Sequence, residues 1–289
     1  MVQGEIFVGT SGWSYPKGEG TWNGYFYPAK HGPDELTYYS RFFRTVEINS
    51  TFYHPPDPRI AQSWANRVPD GFLFTVKLWQ KFTHPKMYEK STGEIASISQ
   101  DDITLFCRSI EPLAKTGKLG ALLAQFPPSF TNDNLGKQII RGLITYFGKY
   151  HLALELRHRS WSDDPATAQL LQDSHVAWVQ IDEPKFHTSL AETVPQTSEM
   201  TYFRFHGRNK ETWWKGDVET RYCYLYSVIE IKELADKIRL ASEQSKITFA
   251  FFNNHWKAYA PRNATDIMKA LDLPLSVLPL FQETLPAEE

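Results

Sequence analysis

Eight short runs of β-forming residues recur along this chain, and helical periodicity fills the space between almost every pair of them. The runs fall at residues 5–9, 45–49, 72–77, 120–125, 152–157, 176–182, 201–206 and 247–253. Helical patterns fall at 33–43, 58–68, 101–116, 133–147, 165–173, 227–243 and 264–271. Strand–helix alternation demands parallel pairing, because each crossover returns the chain to the same end of the sheet. Eight units select an α/β fold of the TIM-type (β/α)8 barrel class over an open doubly wound sheet, and 289 residues suit one such domain. One connection breaks the pattern: residues 183–200 hold two prolines and no helical period, so an irregular link is expected between the sixth and seventh strands. The single barrel domain is expected to span 1–280, with 281–289 a flexible C-terminal tail.

Bulk properties narrow the function. A hydrophobic share of 42% is ample for a packed core, and a net charge of −2 supplies no global field for holding a polyanion. No apolar run approaches the roughly 20 residues that span a bilayer. The N-terminal stretch lacks the pattern of a secretory signal, and Cys107 and Cys223 make neither a metal spacing nor a disulfide framework, so a cytoplasmic, soluble protein is expected. No glycine-rich phosphate fingerprint is present, which argues against dinucleotide and P-loop chemistry. Aromatic residues make up 15% of the chain, enough to line a groove as well as a core.

Strands buried on both faces should read as nearly continuous apolar runs. Here six of them end in polar pairs at period two: Glu47 with Asn49, Thr75 with Lys77, Glu155 with Arg157, Gln180 with Asp182, Arg204 with His206, and Asn253 next to Asn254. Period two puts each spaced pair on one side of its strand. The expectation is that these side chains converge inside the barrel at its C-terminal end, where enzymes of this architecture bind substrate. An internal salt-bridge network without chemistry is the competing account. His84, His158, His206 and His255 fall at or just beyond strand ends and add proton-transfer candidates. A divalent metal suits His and carboxylate chemistry, but Lys77, Arg157 and Arg204 would repel it, so no cofactor is expected. An anion gripped by arginine and lysine fits the inventory better.

Several segments carry more than composition. GTSGWSY (9–15), WNGYFYP (22–28), TVEINSTFY (45–53), KFTH (81–84), LAQFPPSF (123–130), ELRHRSW (155–161), RFHGR (204–208), YLYS (224–227) and FFNNH with a following NA (251–255, 263–264) together resemble the YecE-like family, domain of unknown function 72. The resemblance implies a TIM barrel and supplies no reaction. Its motifs coincide with Glu47, Asn49, Glu155, Arg157, His158, Arg204, His206 and Asn253.

The leading expectation is an enzyme acting on a polar anionic small molecule, phosphate- or carboxylate-bearing, or on a nucleotide-like substrate. Glu47, Glu155, Asp182, His206 and His84 are the candidate acids and bases. Asn49, Lys77, Arg157, His158, Arg204 and Asn253, with the aromatic faces of Trp13 and Tyr53, are the candidate substrate contacts. Nucleic-acid binding is the alternative, through a rim of Arg208, Lys210, Trp213, Trp214, Lys215 and Arg221. A non-catalytic ligand sensor is the third.

Overall fold

The computed structural model describes residues 4–29, 34–214, 218–275, 279 and 281. Its strands are β1 (Glu5–Thr10), β2 (Thr45–Ile48), β3 (Leu73–Lys77), β4 (Leu119–Gln125), β5 (Leu152–Glu155), β6 (Ala177–Trp178), β7 (Gln180–Asp182), β8 (Met200–Phe205) and β9 (Ile247–Phe252). The helices are α1 (Glu35–Tyr39), α2 (Pro58–Asn66), α3 (Gln80–Thr83), α4 (Pro85–Thr92), α5 (Gln100–Lys115), α6 (Asn134–Phe147), α7 (Arg159–Ser162), α8 (Pro165–Asp173), α9 (Val218–Arg221), α10 (Val228–Ser242) and α11 (Tyr259–Ala270). None of the described helices is long and apolar enough to cross a membrane.

Local chemistry explains where the crossover helices start. Asp57 and Asp164 cap α2 and α8 just ahead of a proline in the first turn, and capping boxes open α5 (Ser99 with Asp102) and α10 (Ser227 with Glu230). The helix expected at 33–43 is shorter, with Asp34 capping α1 and Pro33 outside the described residues. Of the tail expected over 281–289 only Phe281 is described, its ring stacked 6.1 Å from Phe26, and 282–289 lie outside the described residues.

All strand pairs are parallel, in two sheets ordered β1-β9-β8-β7 and β2-β3-β4-β5-β6. The expected sixth strand is divided into β6 and β7, one in each sheet. Val179 joins them, its N–H donating to the Leu154 carbonyl at 3.0 Å. At the other seam β1 and β2 share only the bridge between Ser11 and Glu47, although the backbones lie close: a Cβ on Gly9 would meet the Thr45 carbonyl oxygen at 2.3 Å. Among the described residues the ladder is therefore not closed, and the fold is an α/β domain with two parallel sheets.

Register places Phe7, Phe249 and Tyr202 side by side, with Phe251 beside Arg204 one step further on. Ring centroids of Phe249 stand 5.5 Å from Phe7 and 5.9 Å from Tyr202, forming an apolar floor below the charged positions. The connection from Asp182 to Met200 carries no helix, as expected. Gln180 and Val194 exchange two side-chain-to-backbone bonds (2.8 and 3.3 Å), and Thr197 Oγ1 donates to the Val176 carbonyl and accepts from the Trp178 N–H.

Candidate functional site

Four strand ends converge on one buried charge cluster. Arg204 on β8 binds Glu47 on β2 through Nε (3.0 Å) and Nη2 (2.7 Å), and its Nη1 reaches Glu155 Oε2 on β5 at 2.5 Å. Just beyond β5, Arg157 Nε donates to the other Glu155 oxygen at 2.6 Å. Tyr202 Oη donates to Glu47 Oε2 at 2.7 Å and lies 2.8 Å from Thr75 Oγ1, tying β2, β3 and β8 together from below. Glu47, Glu155 and His206 have no solvent exposure, and Arg204 has 2%. Such a network tolerates burial because each charge meets its opposite through aligned donors. Burial alone would raise the Glu155 carboxyl, but Arg204 and Arg157 outweigh it and hold it well below the usual carboxylate range.

His206 sits between these charges. Arg157 Nη2 is 3.1 Å from its Nε2, and the Asn253 amide is 3.0 Å from its Nδ1. Nε2 is thus shared between the Arg157 donor and Glu155 Oε1 at 3.6 Å, and the group placed at Nδ1 is the Asn253 amide nitrogen. Burial and then Arg157 push the imidazole down to about 3. His84, edge-on to Phe52 at 5.0 Å and bonded to Thr83 Oγ1, is pushed down to about 4 by burial and then by Lys77. Both rings are therefore neutral near pH 7.

Lys77 continues the inward face of β3 from Thr75. Its ammonium lies 4.1 Å from the Phe52 ring centroid, and among the described residues it has no ion pair or side-chain hydrogen bond. Burial first, then the charge of Arg204, bring it down to about 7. The side chain is nevertheless partly open to solvent.

Glu183, absent from the sequence expectation, completes the cluster. Its Oε2 lies 3.4 Å from Arg157 Nη1 as an ion pair without hydrogen-bond alignment, and burial raises its carboxyl. Alternation through Val179, Ile181 and Glu183 would have found it. Asp182 is corrected by the same register: Ile181 lies beside Arg204, so Gln180 and Asp182 take the opposite face with Phe203 and Phe205. There Asp182 accepts from Arg208 Nη2 and Tyr226 Oη, both at 2.7 Å. No crossover helix follows β7, so polar residues stand on its outer face and the step from polar to inward fails there.

Other expected residues lie apart from the cluster's bonding. His158 caps α7, its Nδ1 bonding the Ser160 hydroxyl at 2.8 Å. Trp13 packs edge-on to Trp64 at 5.8 Å. Tyr53 is 66% exposed and meets Phe52 edge-on. Asn49 has a buried Oδ1 with no hydrogen-bond partner. The expected basic rim does not stay together: Arg208 is engaged by Asp182 and Glu230 on the outer face, Trp213 is buried with its ring 6.4 Å from His206, and exposed Lys210 lies over Phe186. Trp214 is exposed, and Lys215 lies outside the described residues. Tyr222 joins Trp213 around His206 and faces His255, which stacks on Tyr15 at 4.7 Å.

Among the described residues no group of three His, Cys, Asp or Glu side chains is arranged to hold a metal ion. A separate groove of about 650 Å³ opens on the outer face of β7 and β8 against α10, where a crossover helix is missing.

The family described as "Protein of unknown function DUF72" matches residues 7–288. The UPF0759 protein YunF of Bacillus subtilis (strain 168) is 30% identical over 284 residues, covering 94% of this chain and 97% of that one. The crystal structure of a DUF72 family protein from Thermotoga maritima superposes with a TM-score of 0.80 at 36% identity, covering 92% of this chain and 99% of that one. One from Enterococcus faecalis gives 0.80 at 26% identity, covering 98% and 100%.

Proposed function

The chain belongs to the DUF72 family, whose description assigns no activity, and on the chemistry of its charge cluster we propose an enzyme that acts on a polar, anion-bearing small molecule by acid–base catalysis. The observation that carries this reading is the inequality among the cations. Both arginines are consumed by carboxylates, whereas Lys77 is partly open and has no carboxylate partner among the described residues. Lys77 is therefore the group that meets the substrate's phosphate or carboxylate and exchanges a proton with it. Arg157 and Arg204 act at one remove, holding Glu47 and Glu155 ionised as a rigid counter-charge. Neutral His84 is the proton-accepting partner, and Tyr222 with Trp213 offers a wall against which a planar, nucleotide-like portion would pack.

In this reading the two sheets act as one (β/α)8 barrel. Chain continuity through Val179 and the Ser11–Glu47 bridge support it, and the cluster then sits at the C-terminal end of the strands. The free thiols of Cys107 and Cys223 suit a reducing, cytoplasmic setting.

The test is calorimetric titration with inorganic phosphate, citrate and a panel of phosphorylated and carboxylated metabolites. Affinity for an anionic ligand should weaken at least about tenfold, some 1.4 kcal/mol, in Lys77→Met. It should also weaken in the wild type as pH rises above about 7, where the ammonium loses its proton. Binding that ignores both changes refutes the proposal.

A further inference from the structure

Amines and guanidinium groups differ in one chemical capacity: a neutral amine carries an available lone pair, whereas arginine stays protonated in proteins. The cluster contains one amine. The charged and titratable groups that face Lys77 are Glu47 from β2, Glu155 from β5, Arg157 just beyond it, Arg204 from β8 and His84 after α3. The two carboxylates attract a cation, yet each is already held by arginine, and the arginines themselves repel one. Phe52 covers the ammonium with an apolar ring at 4.1 Å. Desolvation beside other cations is the setting in which lysine becomes a nucleophile. The partly open side chain leaves a route of attack.

We propose that Lys77 forms an imine with the carbonyl carbon of an anion-bearing aldehyde or ketone. The inference rests on the anion-binding acid–base reading above and names its substrate class. Neutral Nζ attacks the carbonyl carbon, and the π pair moves to oxygen. A proton passes from nitrogen to that oxygen, giving a neutral carbinolamine. The nitrogen lone pair then expels the hydroxyl group, which leaves as water with a proton taken from solvent. The product is an iminium cation, formed without oxidant or reductant. It restores positive charge facing Glu47 and Glu155, and it draws electrons from the adjacent C–H or C–C bond of the substrate. Proton abstraction or carbon–carbon cleavage next to a carbonyl follows as the reaction class.

Two aldehydes serve as probes on the intact protein: pyridoxal 5′-phosphate, which carries a phosphate, and formaldehyde, which fits any opening. Each adduct is fixed with a hydride reductant and mapped by peptide mass spectrometry. At pH 7 Lys77 should be modified at least about ten times faster than the surface lysines Lys115 and Lys246, and more slowly as pH falls below 7. Inorganic phosphate should protect it from the phosphorylated probe. Lys77→Arg keeps a cation and should abolish the mapped adduct while leaving labelling elsewhere unchanged. If neither probe modifies Lys77 faster than those surface lysines, the imine is refuted. Phosphate binding measured in the same preparation separates the two ideas. Phosphate that binds without Lys77 reactivity sinks the imine and leaves the anion-binding reading standing. A reactive Lys77 that phosphate neither protects nor binds beside sinks that reading instead.

Discussion

Arg204 and Glu47 form a two-pronged ion pair, with Nε and Nη2 at 3.0 and 2.7 Å from the two carboxylate oxygens, across strands belonging to different sheets. The pair fastens β8 to β2 at a point where no backbone ladder does. Removing the guanidinium leaves Glu47 and half of Glu155 buried without a counter-charge. Arg204→Met is expected to lower unfolding free energy by about 3–5 kcal/mol in urea titrations. The double variant with Glu47→Gln should recover part of that loss, since it removes the stranded charge; no recovery would mean that packing, not charge, sets the cost.

Stability on the alkaline side reports Lys77. Its folded value of about 7 lies below the 10.5 of an unfolded lysine, so between those values the unfolded chain binds more protons. The Lys77 contribution to stability therefore rises with pH across that window, by up to about 1.4 kcal/mol per pH unit, and is lost as pH falls toward 7. Subtracting the pH profile of Lys77→Met from that of the wild type should isolate this slope. Parallel profiles would show an ordinary, solvated lysine.

On the acid side the buried histidines contribute. His206 is held at about 3, and His84 and His255 at about 4, all below the 6.5 of the unfolded chain. Acid protonates these rings first in the unfolded chain, so stability should fall as pH drops from about 6.5 toward 3. Asn253→Asp would set a carboxylate against His206 Nδ1 and should move the titration of that ring upward by about 1 unit or more, seen in its NMR shifts. An unmoved titration would contradict the contact.

Asp182 tests the corrected face. Asp182→Asn weakens its bonds to Arg208 and Tyr226 and should cost about 1–3 kcal/mol of stability. Anion affinity should stay within about twofold, because the residue faces away from Lys77. A large loss of affinity with intact stability would restore it to the pocket.

Most of the cluster was legible because buried polar residues at period two have few innocent explanations. Glu47, Glu155, Arg157, Arg204, His206 and Asn253 do meet through bonds, and Lys77 faces them. What sequence could not give was the pairing. Both arginines read as free grips for an anion until their carboxylates were placed, and only geometry separates Lys77 from them. Asp182 failed for a different reason: the inference from polar to inward assumes that helices cover every outer face. Glu183 is not marked by the sequence because it stands beyond the last apolar residue of its run, where a strand and the loop after it look alike. The eight β runs were found, but hydrogen-bond closure depends on register at two seams, and no pattern of residue types encodes that.

The missing helix after β7 has a consequence for how the molecule fluctuates. The 183–199 connection is held by individual bonds such as Gln180 to Val194 and Thr197 to Val176 and by the isolated buried side chains of Leu190 and Val194, not by a helix face. Beneath it β7 pairs with β8 over three residues. Polar tethers of this kind release one at a time, whereas a packed helix leaves as a unit. Amide exchange should therefore be fastest here among the inner strands, making this seam the place where solvent first gains entry beside Glu183 and Arg157.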